Sequence, residues 1–211
     1  MNEANLKSLE QFNITLDNEQ IDIFDNYARL FLEKNSHVNL ISQNDEKYLF
    51  EKHIFDSLAI NKFLKPKNGE TFLDIGTGGG FPSVPIAIFY NELQVYAIDS
   101  IRKKINVICE LRDELNLKNL YPICDRVENN KNKYDYVTTR AVASMDLILK
   151  YAVPKMKDGG YFIAYKSKKA MDEMKDAEKT IKRLGVKLVD IIGYSLPLEE
   201  NHERNLIIFK K

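Results

Sequence analysis

A run of glycines that follows a short apolar segment is the feature of this sequence best suited to chemistry. Residues 72–82 read Phe-Leu-Asp-Ile-Gly-Thr-Gly-Gly-Gly-Phe-Pro, and residues 85–89 then favour a helix with Pro82 in its first turn. Strand, glycine turn and helix is the arrangement that binds a nucleotide-like ligand at the carboxyl edge of a parallel sheet. Glycine suits this turn because it accepts positive φ and lets the backbone approach the ligand closely.

The glycine spacing separates two classes of ligand. A dinucleotide site needs Gly-x-Gly-x-x-Gly/Ala, and neither possible starting glycine has Gly or Ala at the sixth position. The pattern from Asp74 to Gly80 is Asp-x-Gly-x-Gly-x-Gly, which resembles motif I of S-adenosylmethionine (SAM) methyltransferases. SAM carries no phosphate, and its ammonium group favours a carboxylate such as that of Asp74, directly or through water. Gly78, within the turn, is predicted to lie against the same ligand.

A second acidic residue stands at the distance expected for a ribose contact. The apolar segment from Leu93 to Ile98 has the pattern of a buried strand and ends in Asp99, about 20 positions beyond the glycine turn. Such a residue binds ribose hydroxyls in both cofactor classes. Asp99 therefore supports the fold more than the choice of ligand.

The elements that position these residues fall into two blocks. Helical spacing over residues 6–12, 18–35 and 46–64 predicts an N-terminal helical extension, residues 1–65, with Asp17 as the N-cap of the second helix. Residues 66–211 then alternate between strands and helices. The last two strands have no room for a crossover helix and are expected to pair antiparallel. The prediction is an α/β domain whose seven-stranded sheet is mostly parallel with one reversed strand, similar to the Rossmann-like fold of class I SAM methyltransferases. The predicted strands lie near 71–75, 94–98, 120–123, 134–139, 160–165, 186–194 and 205–210, and the predicted helices of this domain near 82–90, 101–115, 144–152 and 168–184.

Composition limits the possible environments of the chain. Its 211 residues suit one domain with a small extension, and it has neither a long apolar run nor an apolar N-terminal leader. Cys109 and Cys124 are interpreted as buried free thiols of a cytoplasmic protein, and no metal site is expected. Equal numbers of acidic and basic residues give zero net charge, yet residues 150–187 hold 11 basic against 5 acidic side chains. That segment suits a nucleic-acid surface or, with equal weight, a solvated lysine-rich helix.

Several ordered segments together make the chain similar to one family. From about residue 38 to its end, the sequence closely resembles the bacterial 16S ribosomal RNA guanine-N7 methyltransferases, also called the glucose-inhibited division protein B family. It departs from the family pattern at Ile41, where Thr is usual, and in having no Trp. The segments that carry the resemblance are Val38-Asn39-Leu40-Ile41-Ser42, His53-Ile54-Phe55-Asp56-Ser57-Leu58, Leu73 to Pro82 with Pro85, Asp99-Ser100 with Lys103-Lys104, Asp125-Arg126-Val127-Glu128, Thr139-Arg140-Ala141-Val142-Ala143-Ser144, and Tyr165-Lys166.

The resemblance implies a cofactor, a substrate and a set of contacts. It implies methyl transfer from SAM to guanine N7 in the 530-loop region of 16S ribosomal RNA, at nucleotide 527, by a monomer acting on the small ribosomal subunit or an assembly intermediate. It also implies SAM contacts at Gly76, Phe81, Val127, Glu128 and Arg140. For RNA we expect contacts from His53, Lys103, Lys104 and Lys166, with Lys168 and Lys169 extending the same patch.

The implied reaction needs no catalytic base. Guanine N7 has a free lone pair and no proton to lose, so alignment is the main source of catalysis, with Arg140 and Lys166 as candidate aligning groups. His53 is accordingly interpreted as structural or RNA-positioning. Cations near the target should contact O6 or phosphates and leave N7 free.

Other functions stay open at the level of sequence. An NAD-dependent oxidoreductase would need a better glycine pattern, and a non-catalytic module of the small ribosomal subunit would leave the spaced pocket residues unexplained. A methyltransferase that acts on another RNA or on a small molecule is the closer alternative.

Overall fold

A computed structural model describes residues 1–140, 143–167, 170–200 and 202–211, without the side chains of residues 170–172. Ala141, Val142, Lys168 and Lys169, which the sequence motifs include, lie outside the described residues. The helices are α1 (Glu3–Ser8), α2 (Asn18–Val38), α3 (Gln43–Glu46), α4 (Asp56–Leu58), α5 (Ser83–Phe89), α6 (Arg102–Glu114), α7 (Met145–Ala152) and α8 (Ala170–Leu184), with short 3₁₀ segments at Leu9–Phe12, Ala59–Lys62, Val127–Asn129 and Val153–Lys155.

The N-terminal extension is built around α2. Asp17 caps this helix, because its side chain accepts from the N–H of Gln20 while the Gln20 side chain accepts from the N–H of Asp17. The helix ends at Asn39, which adopts the left-handed conformation with φ 53°. Its apolar face, which includes Phe24, Tyr27 and Phe31, is buried against the glycine turn and its surroundings. The prediction of Asp17 as the N-cap is confirmed.

A π-helical segment interrupts the next helical stretch. Residues Phe50–Phe55 form the wider i→i+5 turn, directly before α4. The helical spacing over residues 46–64 agrees with helical segments over most of this stretch, but it gave no sign of the π-helical turn within it. A π-helical turn shifts carbonyl groups out of their usual pairing, and such turns are frequent at functional sites.

Seven strands form one sheet in the order β3-β2-β1-β4-β5-β7-β6. All neighbours are parallel except that β7 runs antiparallel to both β5 and β6. The predicted seven-stranded sheet with one reversed strand is confirmed. The strands are β1 (Thr71–Ile75), β2 (Gln94–Asp99), β3 (Leu120–Cys124), β4 (Tyr134–Arg140), β5 (Met156–Ser167), β6 (Lys187–Leu196) and β7 (His202–Lys210).

Apolar side chains fill both faces of the sheet. One cluster joins α2, α5 and α6 to the sheet and contains residues of the N-terminal extension, such as Phe55 and Leu58. The other cluster lies under α7 and α8. Phe72 of β1 belongs to the first cluster and Leu73 and Ile75 belong to the second, as expected for a parallel strand that is covered on both faces.

Some local predictions differ from the structure. Strand β5 begins at Met156 rather than near 160, and Pro82 precedes α5 instead of lying within its first turn. Cys109 and Cys124 are free but half-buried, not buried. Among the described residues, no helix is both long and apolar enough to cross a membrane.

Candidate functional site

The turn after β1 owes its shape to glycine. Gly76, Gly78 and Gly80 have φ values of 69°, 59° and 90°, a region that other residues rarely adopt. The N–H groups of Gly76 and Thr77 both donate to the carbonyl of Ile98, at 2.9 and 3.1 Å. The turn is therefore held across the tip of β2, at the carboxyl edge of the sheet.

Two of these glycines differ in what surrounds them. A Cβ on Gly80 would lie 2.7 Å from the Val84 Cγ2 atom, so this glycine allows the turn to pack on α5. A Cβ on Gly78 would have no neighbour closer than the Gly76 carbonyl oxygen, at 3.8 Å. Packing therefore does not explain the glycine at 78. Its position on the wall of a cavity gives a reason, because a side chain there would occupy the cavity.

Asp99 connects the glycine turn to the start of α6. Its two carboxylate oxygens accept from the N–H of Gly78, at 3.0 Å, and from the N–H of Ile101, at 2.9 Å. Each carboxylate oxygen can accept more than one hydrogen bond, so the residue keeps acceptor capacity for hydroxyl groups.

Two cavities meet at the glycine turn. The smaller one measures about 380 Å³ and is lined by Asp99, Val127, Glu128 and Tyr151, among others. The larger one measures about 1000 Å³. Gly76 lines both, so the two cavities lie next to each other at this residue. The predicted site residues that line the larger cavity are His53, Gly76, Gly78, Phe81, Lys104, Arg140 and Lys166.

Asp74 lies behind the turn instead of in either cavity. It is completely buried, and its carboxylate lies near the Thr77 and Ser83 groups without a well-formed hydrogen bond to either of them. Burial raises its pKa to about 6, against a smaller opposing effect of the nearby Thr77 and Ser83 groups and of Arg140. A buried, unsatisfied carboxylate beside the turn is costly for folding and points to a functional requirement.

Arg140 is held by three acceptors from one short segment. Its Nη1 group donates to the carbonyl of Lys52 and to Asp56 Oδ2, both at 3.0 Å. Its Nη2 group lies 2.9 Å from His53 Nδ1, and the guanidinium carbon lies 5.2 Å from the centre of the Phe81 ring. The π-helical turn and the start of α4 supply all three acceptors.

His53 is fixed as a neutral imidazole. A guanidinium group can only donate, so Nδ1 must accept from Arg140 and the ring proton must be on Nε2. Burial, and secondarily the Arg140 charge, lower the pKa of His53 to about 3. With Nδ1 already engaged, this side chain is poorly suited to act as a general base.

The three predicted lysines occupy different environments. Lys104 lines the larger cavity, whereas Lys103 is exposed and lines neither cavity. The Lys166 ammonium donates to the Ala143 carbonyl at 2.8 Å and forms an ion pair with Glu173 at 2.6 Å. Topology brings Lys104 and Lys166 to one cavity, but Lys166 already has an anionic partner.

Sequence analysis assigned no role to several residues of the site. Asp56 is buried and accepts from Tyr194 as well as Arg140, yet nothing in its surrounding helix sequence indicates either partner. Glu173, on α8, accepts from the Met145 N–H at 3.1 Å in addition to Lys166. An acidic residue within a mostly apolar helical stretch, as in Ile54-Phe55-Asp56-Ser57-Leu58, was the one available signal for Asp56.

Comparison with known proteins gives consistent sequence matches. The family described as "GidB: rRNA small subunit methyltransferase G" matches residues 20–206. A protein of Lachnoclostridium phytofermentans named ribosomal RNA small subunit methyltransferase G is 37% identical over all of this chain and 89% of its own length. The protein of the same name from Lysinibacillus sphaericus is 38% identical over all of this chain and 91% of its own length.

Solved structures share the fold. TYW2 of M. jannaschii in complex with AdoMet superposes with a TM-score of 0.55 at 21% identity, covering 68% of each chain. TYW2 of P. horikoshii in complex with MeSAdo has a TM-score of 0.59 at 16% identity, covering 75% of this chain and 62% of that one.

Proposed function

Since the chain belongs to the rRNA small subunit methyltransferase G family, we propose that it transfers a methyl group from SAM to guanine N7 in 16S ribosomal RNA. The observation that carries the proposal is the pair of cavities joined at Gly76, on a turn whose sequence resembles motif I of SAM methyltransferases. One cavity has the size of a nucleoside site, and the other has room for a second molecule.

The smaller cavity suits the adenosine end of SAM. Asp99 offers acceptors for ribose hydroxyls, and Val127 and Glu128 line the part of the cavity that would hold the base. The turn from Gly76 to Gly78 would hold the sulfonium end, where open space beyond Gly78 permits close approach of the backbone. Asp74, buried behind this turn with no well-formed hydrogen bond, would add negative charge on the side of the ammonium group. Bound SAM would supply an activated methyl group on sulfur.

The larger cavity suits the target guanine. Arg140, Lys104 and Lys166 give it cationic groups at the carboxyl edge of the sheet, where O6 and phosphates are suitable partners. Guanine N7 accepts the methyl group through its own lone pair, so the protein has to align rather than to deprotonate it. The neutral His53 agrees with this requirement, because its Nδ1 atom is occupied by Arg140.

The same proposal extends to the location of the protein, its oligomeric state and the form of its RNA substrate. We infer a cytoplasmic monomer that acts on the small ribosomal subunit or an assembly intermediate and needs no metal ion. Residues 1–65 would form a helical extension, and residues 66–211 the methyltransferase domain. The nucleotide implied by the family resemblance is position 527 in the 530-loop region.

Methyl transfer measured with labelled SAM tests the proposal. Purified small subunits, protein-free 16S ribosomal RNA and free guanine nucleotides serve as substrates. We expect transfer to ribosomal RNA, with single-turnover rates nearly constant between about pH 6.5 and 8.5 because no base is needed. Turnover on free nucleotides alone would favour a small-molecule methyltransferase. A rate that rises tenfold per pH unit would indicate a deprotonated target atom other than N7.

A further inference from the structure

Arg140 has two N–H groups left after its structural contacts. Both Nη1 hydrogens are used by the Lys52 carbonyl and Asp56, and one Nη2 hydrogen is used by His53. In the described part of the chain, the Nε–H and the second Nη2–H have no acceptor, and the residue lines the larger cavity. A guanidinium group with two available donors is suited to bidentate binding of a carboxylate or phosphate.

The acceptors that hold Arg140 come from outside the Rossmann-like core. Lys52 and His53 belong to the π-helical segment, and Asp56 begins α4. Asp56 is itself fixed, because its Oδ1 atom accepts from the Tyr194 hydroxyl at 2.6 Å and its side chain is only 4% exposed. Phe81 lies against both the Arg140 guanidinium and the His53 ring, whose centre is 4.8 Å away. The guanidinium is thus held by Phe81 against one face and by hydrogen bonds from three of its N–H groups.

From this arrangement we propose that Asp56 and His53 are positioning residues that aim the two remaining donors of Arg140 at an oxyanion in the active site. The inference rests on the proposed function. Two oxyanions are compatible with it, the carboxylate of SAM and a phosphate of the RNA. A donor aimed at guanine N7 would occupy the lone pair that receives the methyl group, so N7 is not the partner.

Two substitutions of His53 test its contact with Arg140, one of which removes the acceptor while the other keeps one. Leucine at position 53 has no acceptor, whereas asparagine places a carbonyl oxygen near the position of Nδ1. Asp56→Asn removes the counter-charge of Arg140. Asp135→Asn is the control, because Asp135 is likewise a carboxylate in an ion pair, with Lys157 at 2.7 Å, although it is only half-buried, and it lines neither cavity.

Calorimetry with SAM and with 5′-methylthioadenosine, which lacks the amino-acid part, distinguishes the two oxyanions. If the partner is the SAM carboxylate, Asp56→Asn and His53→Leu should weaken SAM binding about tenfold or more and change methylthioadenosine binding less than about twofold. If the partner is a phosphate, SAM affinity should persist while KM for small subunits rises about tenfold. In both cases His53→Asn should keep the SAM affinity and the KM for small subunits close to those of the wild type.

Proton NMR of the histidine ring gives a readout that a general loss of stability would not produce. The chain has three histidines, and His53 should not titrate between about pH 5 and 9 in the wild type. In Asp56→Asn the guanidinium loses its counter-charge and should be held less firmly against the ring, so the part of the lowered His53 pKa that comes from the Arg140 charge should diminish, while the larger part that comes from burial stays. Equal losses for SAM and methylthioadenosine, or an unchanged SAM affinity together with an unchanged KM for small subunits, would overturn the proposal. The calorimetry and the NMR need no RNA, so their results stay separate from a failure of the wild type to methylate small subunits, whereas the KM measurement depends on that activity.

Discussion

At the scale of single residues, the site depends on groups whose placement is unfavourable for folding. Gly78 has positive φ without a packing reason, and Asp74 is buried without a well-formed hydrogen bond. Both features are understandable if a ligand completes the site. A substitution at either residue is therefore expected to change the stability of the fold and the affinity for SAM in different ways.

Replacing Gly78 by valine should remove SAM binding while the protein stays folded. The new side chain would be strained by its positive φ and would project into the cavity, so we expect affinity to fall about a hundredfold or more. Gly69→Val is the control, because Gly69 also has positive φ, at 81°, and open space around it but lies in the connection before β1. Calorimetry should show wild-type affinity in the control. Unaltered affinity in Gly78→Val would remove this residue from the ligand site.

Replacing Asp74 by asparagine should stabilise the protein and weaken SAM binding. Burial raises the pKa of Asp74 from 3.8 to about 6, so the folded state binds its proton more tightly than the unfolded state. Ionisation at pH 7 then costs up to about 3 kcal/mol, which the variant avoids. We expect the Tm of the variant to exceed that of the wild type by a few degrees at neutral pH, and the difference to disappear as pH falls from about 6 to about 4. A less stable variant at pH 7 would show that the carboxylate has a donor in the folded protein.

At the scale of elements, the sequence predicted those features that repeat along the chain. Alternating apolar strands, the glycine turn and the short link between the last two strands were sufficient for the sheet and its reversed strand. Strand β5 was predicted too short because Asp158-Gly159-Gly160 has the composition of a turn, although the strand continues through it with a bulge in its pairing to β4. The π-helical turn was missed because apolar spacing in a helix does not reveal one extra residue per turn.

The start of α6 supplies a lysine to the cavity, and the two lysines there should differ. Lys104 lines the larger cavity and Lys103 does not, so Lys104→Ala should reduce affinity for small subunits and the salt dependence of binding more than Lys103→Ala. Lys65→Ala combined with Lys67→Ala, in the exposed connection before β1, should leave both quantities unchanged. Filter binding at two salt concentrations measures the effect. Equal effects of Lys103→Ala and Lys104→Ala would indicate that RNA contacts α6 from outside the cavity.

Helix α8 places a carboxylate against the lysine that ends β5. The Glu173 side chain pairs with Lys166 and accepts from the N–H of Met145. Glu173→Gln keeps an oxygen acceptor but removes the negative charge, so we expect severalfold tighter binding of RNA and a steeper salt dependence. Glu178→Gln is the matched control. Glu178 lies on the same helix and pairs with Lys182 at a distance of 2.8 Å, and it does not line the cavity. Weaker RNA binding in Glu173→Gln would mean that this contact serves to hold Lys166 in its active position.

At the scale of the whole molecule, the active site joins parts of the chain that are distant in sequence. Arg140 and Asp56 are 84 positions apart, and Tyr194 and Asp56 are 138 apart. Local patterns cannot predict such pairs, because each residue alone is compatible with many positions on a surface. The sequence therefore predicted the glycine turn and the strand-end residues beside the cavities, while the network that fixes Arg140 became visible only in the folded chain.

We expect this protein to methylate one guanine of 16S ribosomal RNA at N7. Mass spectrometry of 16S ribosomal RNA from cells with and without the protein tests it most directly. We expect one guanine-containing fragment to lack a methyl group in the deletion strain, to regain it with the wild-type protein, and to stay unmethylated with the Gly78→Val variant. Identical methylation of 16S ribosomal RNA in both strains, with the protein shown to be expressed in the wild type, would contradict the account.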